Sequence, residues 1–209
     1  RYIAGIDPID ADTGTSLFSV LLMDTFTDRI VAEYTGRPRT AKDAYEITLK
    51  LLLMYNAQAN YENNLKGLFS YFDSKNALYL FCDTPHIVRD MEFTKATNVY
   101  GNKAKGCNAN ARLNSWGRLL QVDWLLARVD KDNDEDKRLN IHRLRSIGYI
   151  EELIYWKPDG NFDRVSAAGM LFILREDRIK RTVTAKDNQY KPVNSLGNDP
   201  FFSKNYKGG

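Results

Sequence analysis

The stretch Phe162–Leu174, FDRVSAAGMLFIL, reads as a helix with hardly any polar side. Val165, Ala168, Gly169, Phe172 and Ile173 fall on one helical face, and Ala167, Met170, Leu171 and Leu174 make the other side apolar too. A helix of that kind is buried nearly all round. Its small residues, Ser166 to Gly169, let a neighbouring backbone come close, as when a helix lies against a sheet. The rest of the chain has to supply that sheet. At 209 residues and 43% apolar, with twelve tyrosines and ten phenylalanines, it has the material for a sizeable core in one domain.

The sheet is read from the first eighty residues. Tyr2–Asp7 is a buried strand ending in an acid, and residues 8–16, PIDADTGTS, are turn chemistry. Leu17–Met23 and Arg29–Thr35 are β-rich runs joined by DTFTD, the pattern of a hairpin. Thr40 begins a helix, with Asp43 three residues on as in a capping box. Ala41, Ala44, Tyr45, Thr48, Leu52 and Tyr55 share its inner face. Ala57–Tyr61 gives a fourth strand ending at Glu62. Leu65, Leu68, Phe69 and Phe72 then stripe a second helix, and Ala77–Cys82 reads as a fifth strand. Beyond come a polar segment (94–111), a helix over Leu113–Val129, a charged connector (130–138), and a helical stretch over 139–155 with a break expected at Gly148. The order β-β-β-α-β-α-β followed by helices predicts an α/β fold of ribonuclease-H type. Its central mixed sheet has about five strands, the first three antiparallel, flanked by helices. The domain is expected over 1–181, with a polar tail over 182–209 that is disordered or wraps the domain through Phe201 and Phe202.

Several classes are excluded or disfavoured. No uninterrupted apolar run approaches the roughly 18 residues of a membrane-spanning helix. Cys82 and Cys107 make neither a disulfide framework nor a zinc site, which fits a reducing compartment. His86 and His142 have no partner at metal-ligand spacing. No signal peptide is visible, and a strand-like run directly after Arg1 reads as a domain cut from a longer protein. The net charge of +3 permits a polyanionic partner without demanding one.

Three acids sit at element ends: Asp7, Glu62 and Asp163. Each alone reads as a cap, a turn residue or a solvated charge. In the expected fold, the first and fourth strands are neighbours and the buried helix lies on them, so all three converge. Carboxylates that close raise one another's pKa values, and a cation compensates them. Oxygen-only ligands suit Mg²⁺ or Mn²⁺, and two such ions support in-line hydrolysis of a phosphodiester. Asp10 and Asp12 are weaker candidates, either for a second metal or for ordering the loop; Asp83 is weaker still. Lys103, Lys105, Arg112 and Arg164 are candidate phosphate contacts, with Arg143 and Arg145 behind them. No recognition-helix signature is present, so little sequence preference is expected.

The segments GIDPIDADTGTSLFSVLLMD, RIVAEYTGRP, NYENNLKG and NFDRVSAAGML together resemble the C-terminal nuclease domain of the large terminase subunit of tailed bacteriophages, over about residues 2–175. NFDRVSA is similar to that family's final hDDxVxA motif, with Asn161 at the histidine and Phe162 at the first aspartate. The resemblance implies a metal-dependent endonuclease that cuts concatemeric viral DNA for packaging. Asp7, Glu62 and Asp163 would be its catalytic ligands, and Asp12 the nearest match to an additional loop acid. It also implies double-stranded DNA, the portal and the small terminase subunit as partners, and the cytoplasm of an infected bacterium as location. The packaging ATPase would precede Arg1, since the chain has no G-x-x-x-x-G-K-[ST] run. Two alternatives use the same acids or the same scaffold: a junction resolvase or transposase core, and a non-catalytic scaffold that binds DNA or partner subunits.

Overall fold

A computed structural model describes residues 1–89, 104–130, 133, 135–157 and 160–189. Four strands, β1 (Tyr2–Asp7), β2 (Phe18–Asp24), β3 (Arg29–Gly36) and β4 (Gln58–Tyr61), form one sheet in the order β3-β2-β1-β4. The first three are antiparallel neighbours, and β4 runs parallel to β1. The β2–β3 turn closes with Asp28 at φ 52°, a left-handed conformation that a short acidic side chain tolerates. Helix α1 (Ala41–Tyr55) carries the crossover to β4. Its capping box forms as read: Asp43 N donates to Thr40 Oγ1 (3.2 Å) and Thr40 N to Asp43 Oδ2 (3.0 Å). It ends at Asn56 in the left-handed region.

The helices α2 (Gly67–Ser74), α3 (His86–Arg89), α4 (Ala111–Leu126), α5 (Ile147–Tyr155) and α6 (Asp163–Gln189) complete the described chain. Side chains alternate across the sheet with the period of two that pleating imposes. Ala4, Ile6, Phe18, Val20 and Leu22 face a core made with α1 and α2. Ile3, Leu21 and Met23 face a second core made with α4, α5 and α6. The result is a mixed four-stranded sheet with helices on both faces. Along α6, Val165, Ala167, Ala168 and Met170 to Leu174 are all buried, as the apolar pattern requires. Burying each large side chain there contributes about 1.5–3 kcal/mol.

Two departures from the sequence reading are informative. Residues 78–80, inside the expected fifth strand, form a single 3-10 turn, and only Phe81 bridges to the sheet, parallel to Ala59. Asn76 stands at φ 53° just before, and Leu80 N and Phe81 N bond back to Ala77 and Leu78, so the run coils before it can pair. Gly148 does not break a helix but lies inside α5. The interruption falls before Ser146, whose hydroxyl accepts from Tyr149 N (3.0 Å) and caps α5. At Gly148 a Cβ would sit 2.7 Å from the guanidinium carbon of Arg164, so the glycine makes room for that side chain.

The chain divides into a unit Arg1–Asp177 and a unit Arg178–Gly209. Helical structure persists through Gln189, past the expected start of the tail at 182; residues 190–209 lie outside the described part. Among the described residues, no helix is long and apolar enough to cross a membrane.

Candidate metal centre at the ends of the first and fourth strands

Parity along the strands brings the acids to one side. Gly5 is in register with Asn60 and Ile6 with Tyr61, so the next residues, Asp7 and Glu62, leave the sheet side by side. Parallel neighbours run about 4.8 Å apart. Glu62 N donates to Ile6 O (3.1 Å), carrying the ladder one residue past β4. Ile6 and Tyr61 point to the α1–α2 core, so Asp7 and Glu62 point to the opposite face, where α6 lies.

Two contacts fix α6 there. A Cβ on Gly5 would stand 2.1 Å from Ala167 O and 2.2 Å from Leu171 N, so the helix backbone rests directly on β1. Asn60 Nδ2 donates to Met170 O (2.9 Å), tying the helix to β4; its Oδ1 accepts from Cys107 Sγ (3.3 Å). Asp163, at the first position of α6, is buried, and its Oδ2 accepts from Leu17 N (3.0 Å).

Burial pushes the half-buried Asp7 carboxyl well above its ordinary pKa, and the charges of Glu62 and Asp163 push it further; a hydrogen bond from Ser166 opposes them. Burial also raises Glu62 and Asp163. Hydrogen bonds from Leu17 N and from the Asn161 side chain partly offset the rise at Asp163. Asn64 Nδ2 donates to Glu62 Oε1 (3.0 Å). Among the described residues, no group of three or more acidic, imidazole or thiol side chains is placed so that it could hold a metal ion. The three acids nonetheless offer oxygen alone, the donor that a hard divalent cation takes.

The other candidates are held elsewhere. Asp12 Oδ1 accepts from Ala41 N (2.7 Å) at the head of α1. Asp10 accepts from Lys66 N and Gly67 N at the head of α2 and from Tyr45 Oη (2.8 Å). Arg37 donates to the carbonyls of Ala11 and Ser16 in the same loop. Asp12 and Asp10 thus order the loop, one of the two roles read for them, and Asp12 is not grouped with the three acids. Lys105 Nζ pairs with Asp83 (2.9 Å) and donates to Phe81 O (3.1 Å), so it braces the segment after β4 instead of offering a free charge. Arg164 is mostly buried between Glu33 (2.7 Å) and Glu152 (2.8 Å), so its charge is neutralised inside the protein. Arg143 bonds to Asn140 and to Thr27 O. Arg112 is exposed on the first turn of α4, and Lys103 lies outside the described residues.

Two residues near the site are not singled out by the sequence. Glu152 Oε2 accepts from Arg164 N (2.8 Å) and Val165 N (3.1 Å), capping α6 from α5, and its charge reaches Asp7. Ser166 reads as a small packing residue, yet it stands one turn beyond Asp163, and it counters the rise of the Asp7 carboxyl. Only the spacing of three between Asp163 and Ser166 hinted at a shared face. Phe162 packs beside the α6 core, and a Cβ on Gly160 would collide with its ring. No family model, curated protein or solved structure matches the chain.

Proposed function

We propose that this domain is a metal-dependent endonuclease of ribonuclease-H type that hydrolyses phosphodiester bonds in duplex DNA, as the nuclease part of a phage packaging terminase. One observation carries the reading: Asp7 and Glu62 leave adjacent parallel strands side by side on the face where α6, which begins at Asp163, rests on β1. Acids disfavoured as anions by burial and by neighbouring charge cluster at functional sites.

Asp7, Glu62 and Asp163 would hold the ions. Two Mg²⁺ or Mn²⁺ ions supply activation of a water and stabilisation of the leaving oxygen. The chain's own residues fix the ligands. Asn64 orients Glu62, and Leu17 N orients Asp163. Glu152 holds the head of α6 so that Asp163 keeps its place. Locked supporting contacts of this kind are what a catalytic constellation needs.

The test is plasmid nicking in Mn²⁺. Asp7→Asn, Glu62→Gln and Asp163→Asn each abolish nicking while circular dichroism stays that of the parent. Undiminished cleavage by any one of them removes that residue from the site, and undiminished cleavage by all three ends the nuclease reading. A non-catalytic scaffold is the second reading. It is favoured by Phe162, which puts an aromatic ring where the resembled family has an acid. Calorimetric titration with Mn²⁺ separates the two, since the scaffold binds no ion at the three acids.

A further inference from the structure

Between α4, the start of α6 and the segment after α5 lies a cleft of about 260 Å³. It is lined by Asn114, Ser115 and Arg118 from one side and by Trp156, Lys157 and Ser166 from the other. Its charged lining residues, Arg118 and Lys157, are both cationic, and no carboxylate lines it among the described residues. The Arg118 guanidinium carbon stands 3.6 Å from the centre of the Trp156 ring, so the indole fixes its plane. Arg118 Nε is buried, yet no acceptor meets it among the described residues. With Nε closed off from solvent, the terminal N–H groups of the guanidinium are the ones a ligand oxygen can meet. Ser166 joins the cleft to the acids: it lines the wall and stands three residues beyond Asp163 on α6.

We propose that this cleft binds one nucleoside phosphate unit. The phosphate oxygens accept from Arg118 and pair with Lys157. The base lies against the guanidinium–indole stack, with Asn114 and Ser115 meeting its polar edge. Planar cations and aromatic rings hold bases by stacking without regard to sequence. The volume falls just below the roughly 300–1,000 Å³ of drug-sized pockets, which suits one nucleotide and not a run of them. The choice of ligand rests on the nuclease reading. If the unit belongs to the substrate strand, its next phosphodiester lies toward Asp7, and the nucleotide has left the duplex stack to enter a cleft between helices, as in base flipping.

Binding is measured in EDTA with the full chain, so no cleavage is involved. Calorimetry follows thymidine monophosphate, and fluorescence anisotropy follows a labelled six-residue oligothymidylate. The monophosphate is expected to bind saturably. Arg118→Gln weakens it at least tenfold, and Lys157→Gln, on an exposed side chain, about threefold. Lys50→Gln, on an exposed side chain of α1 away from the cleft, leaves it unchanged. If the monophosphate displaces the oligonucleotide, the strand's own nucleotide is the ligand. If it binds without displacing the strand, the ligand is a free nucleotide, and the cleft assignment stands on that source. Absence of saturable binding, or affinities that neither substitution alters, overturns the proposal. Nicking activity is scored separately: binding without any nicking refutes only the nuclease reading, and nicking without binding refutes only the cleft.

Discussion

Replacing Gly5 by alanine tests whether the helix-on-strand contact holds the site together. The added Cβ would lie 2.1 Å from Ala167 O, 2.2 Å from Leu171 N and 2.7 Å from Leu171 Cα. All three are backbone atoms, so no rotamer change relieves the overlap. Ordinary contact begins near 3.4 Å, which leaves the helix more than 1 Å too close. Overpacking of this kind costs about 1–3 kcal/mol and at times more, and a clash with backbone belongs at the upper end. Ala167 is one turn from Asp163, so withdrawal of α6 carries Asp163 away from Asp7. A misplacement of about 1 Å reduces a catalysed rate by roughly 10²-fold. Urea unfolding and Mn²⁺-dependent nicking are the assays. Gly36→Ala is the control, because a Cβ there meets its nearest neighbour, Tyr34 Oη, at 3.5 Å. If Gly5→Ala matches Gly36→Ala in both stability and rate, α6 does not rest on β1 in the way described.

The remaining predictions concern charge. Because the folded state raises the Asp7 carboxyl above its unfolded value of about 3.9, the unfolded chain loses that proton first as pH rises, and Asp7 lowers stability from there upward through its folded pKa. In EDTA, Asp7→Asn is therefore expected to be more stable than the parent at pH 8, with the gap closing toward pH 4. Urea midpoints that differ equally at both pH values would contradict the assignment. Arg164→Ala strands Glu33 and Glu152 and is expected to destabilise by about 3 kcal/mol, the low end for breaking a buried pair. A variant of parental stability whose DNA binding is weakened only at low salt would restore Arg164 to the phosphate contacts.

Much of this arrangement is legible in the sequence because it depends on local periodicity. The alternation in β1 and β2, the Thr40–Asp43 box and the all-apolar α6 each specify their own structure, and the parity of Asp7 follows from its strand. The charged residues are less legible, because their partners are distant along the chain. Arg164 beside Asp163 reads as a phosphate contact until β3 and α5 deliver Glu33 and Glu152 to it. Asp12 reads as a ligand until the head of α1 takes its carboxylate. Residues 77–82 have strand composition but coil into a 3-10 turn beside the β4 edge, and only Phe81 bridges to it, a tertiary outcome that propensity does not encode.

The segment between β1 and β2 has a practical consequence for engineering. Rich in Pro, Asp, Gly and Thr and largely exposed, it resembles the sort of surface stretch into which a tag or reporter peptide is spliced. Here its carboxylates and carbonyls moor two helix heads and Arg37 at once. Lengthening it would unseat α1 and α2 together, so peptide grafts belong elsewhere on this molecule.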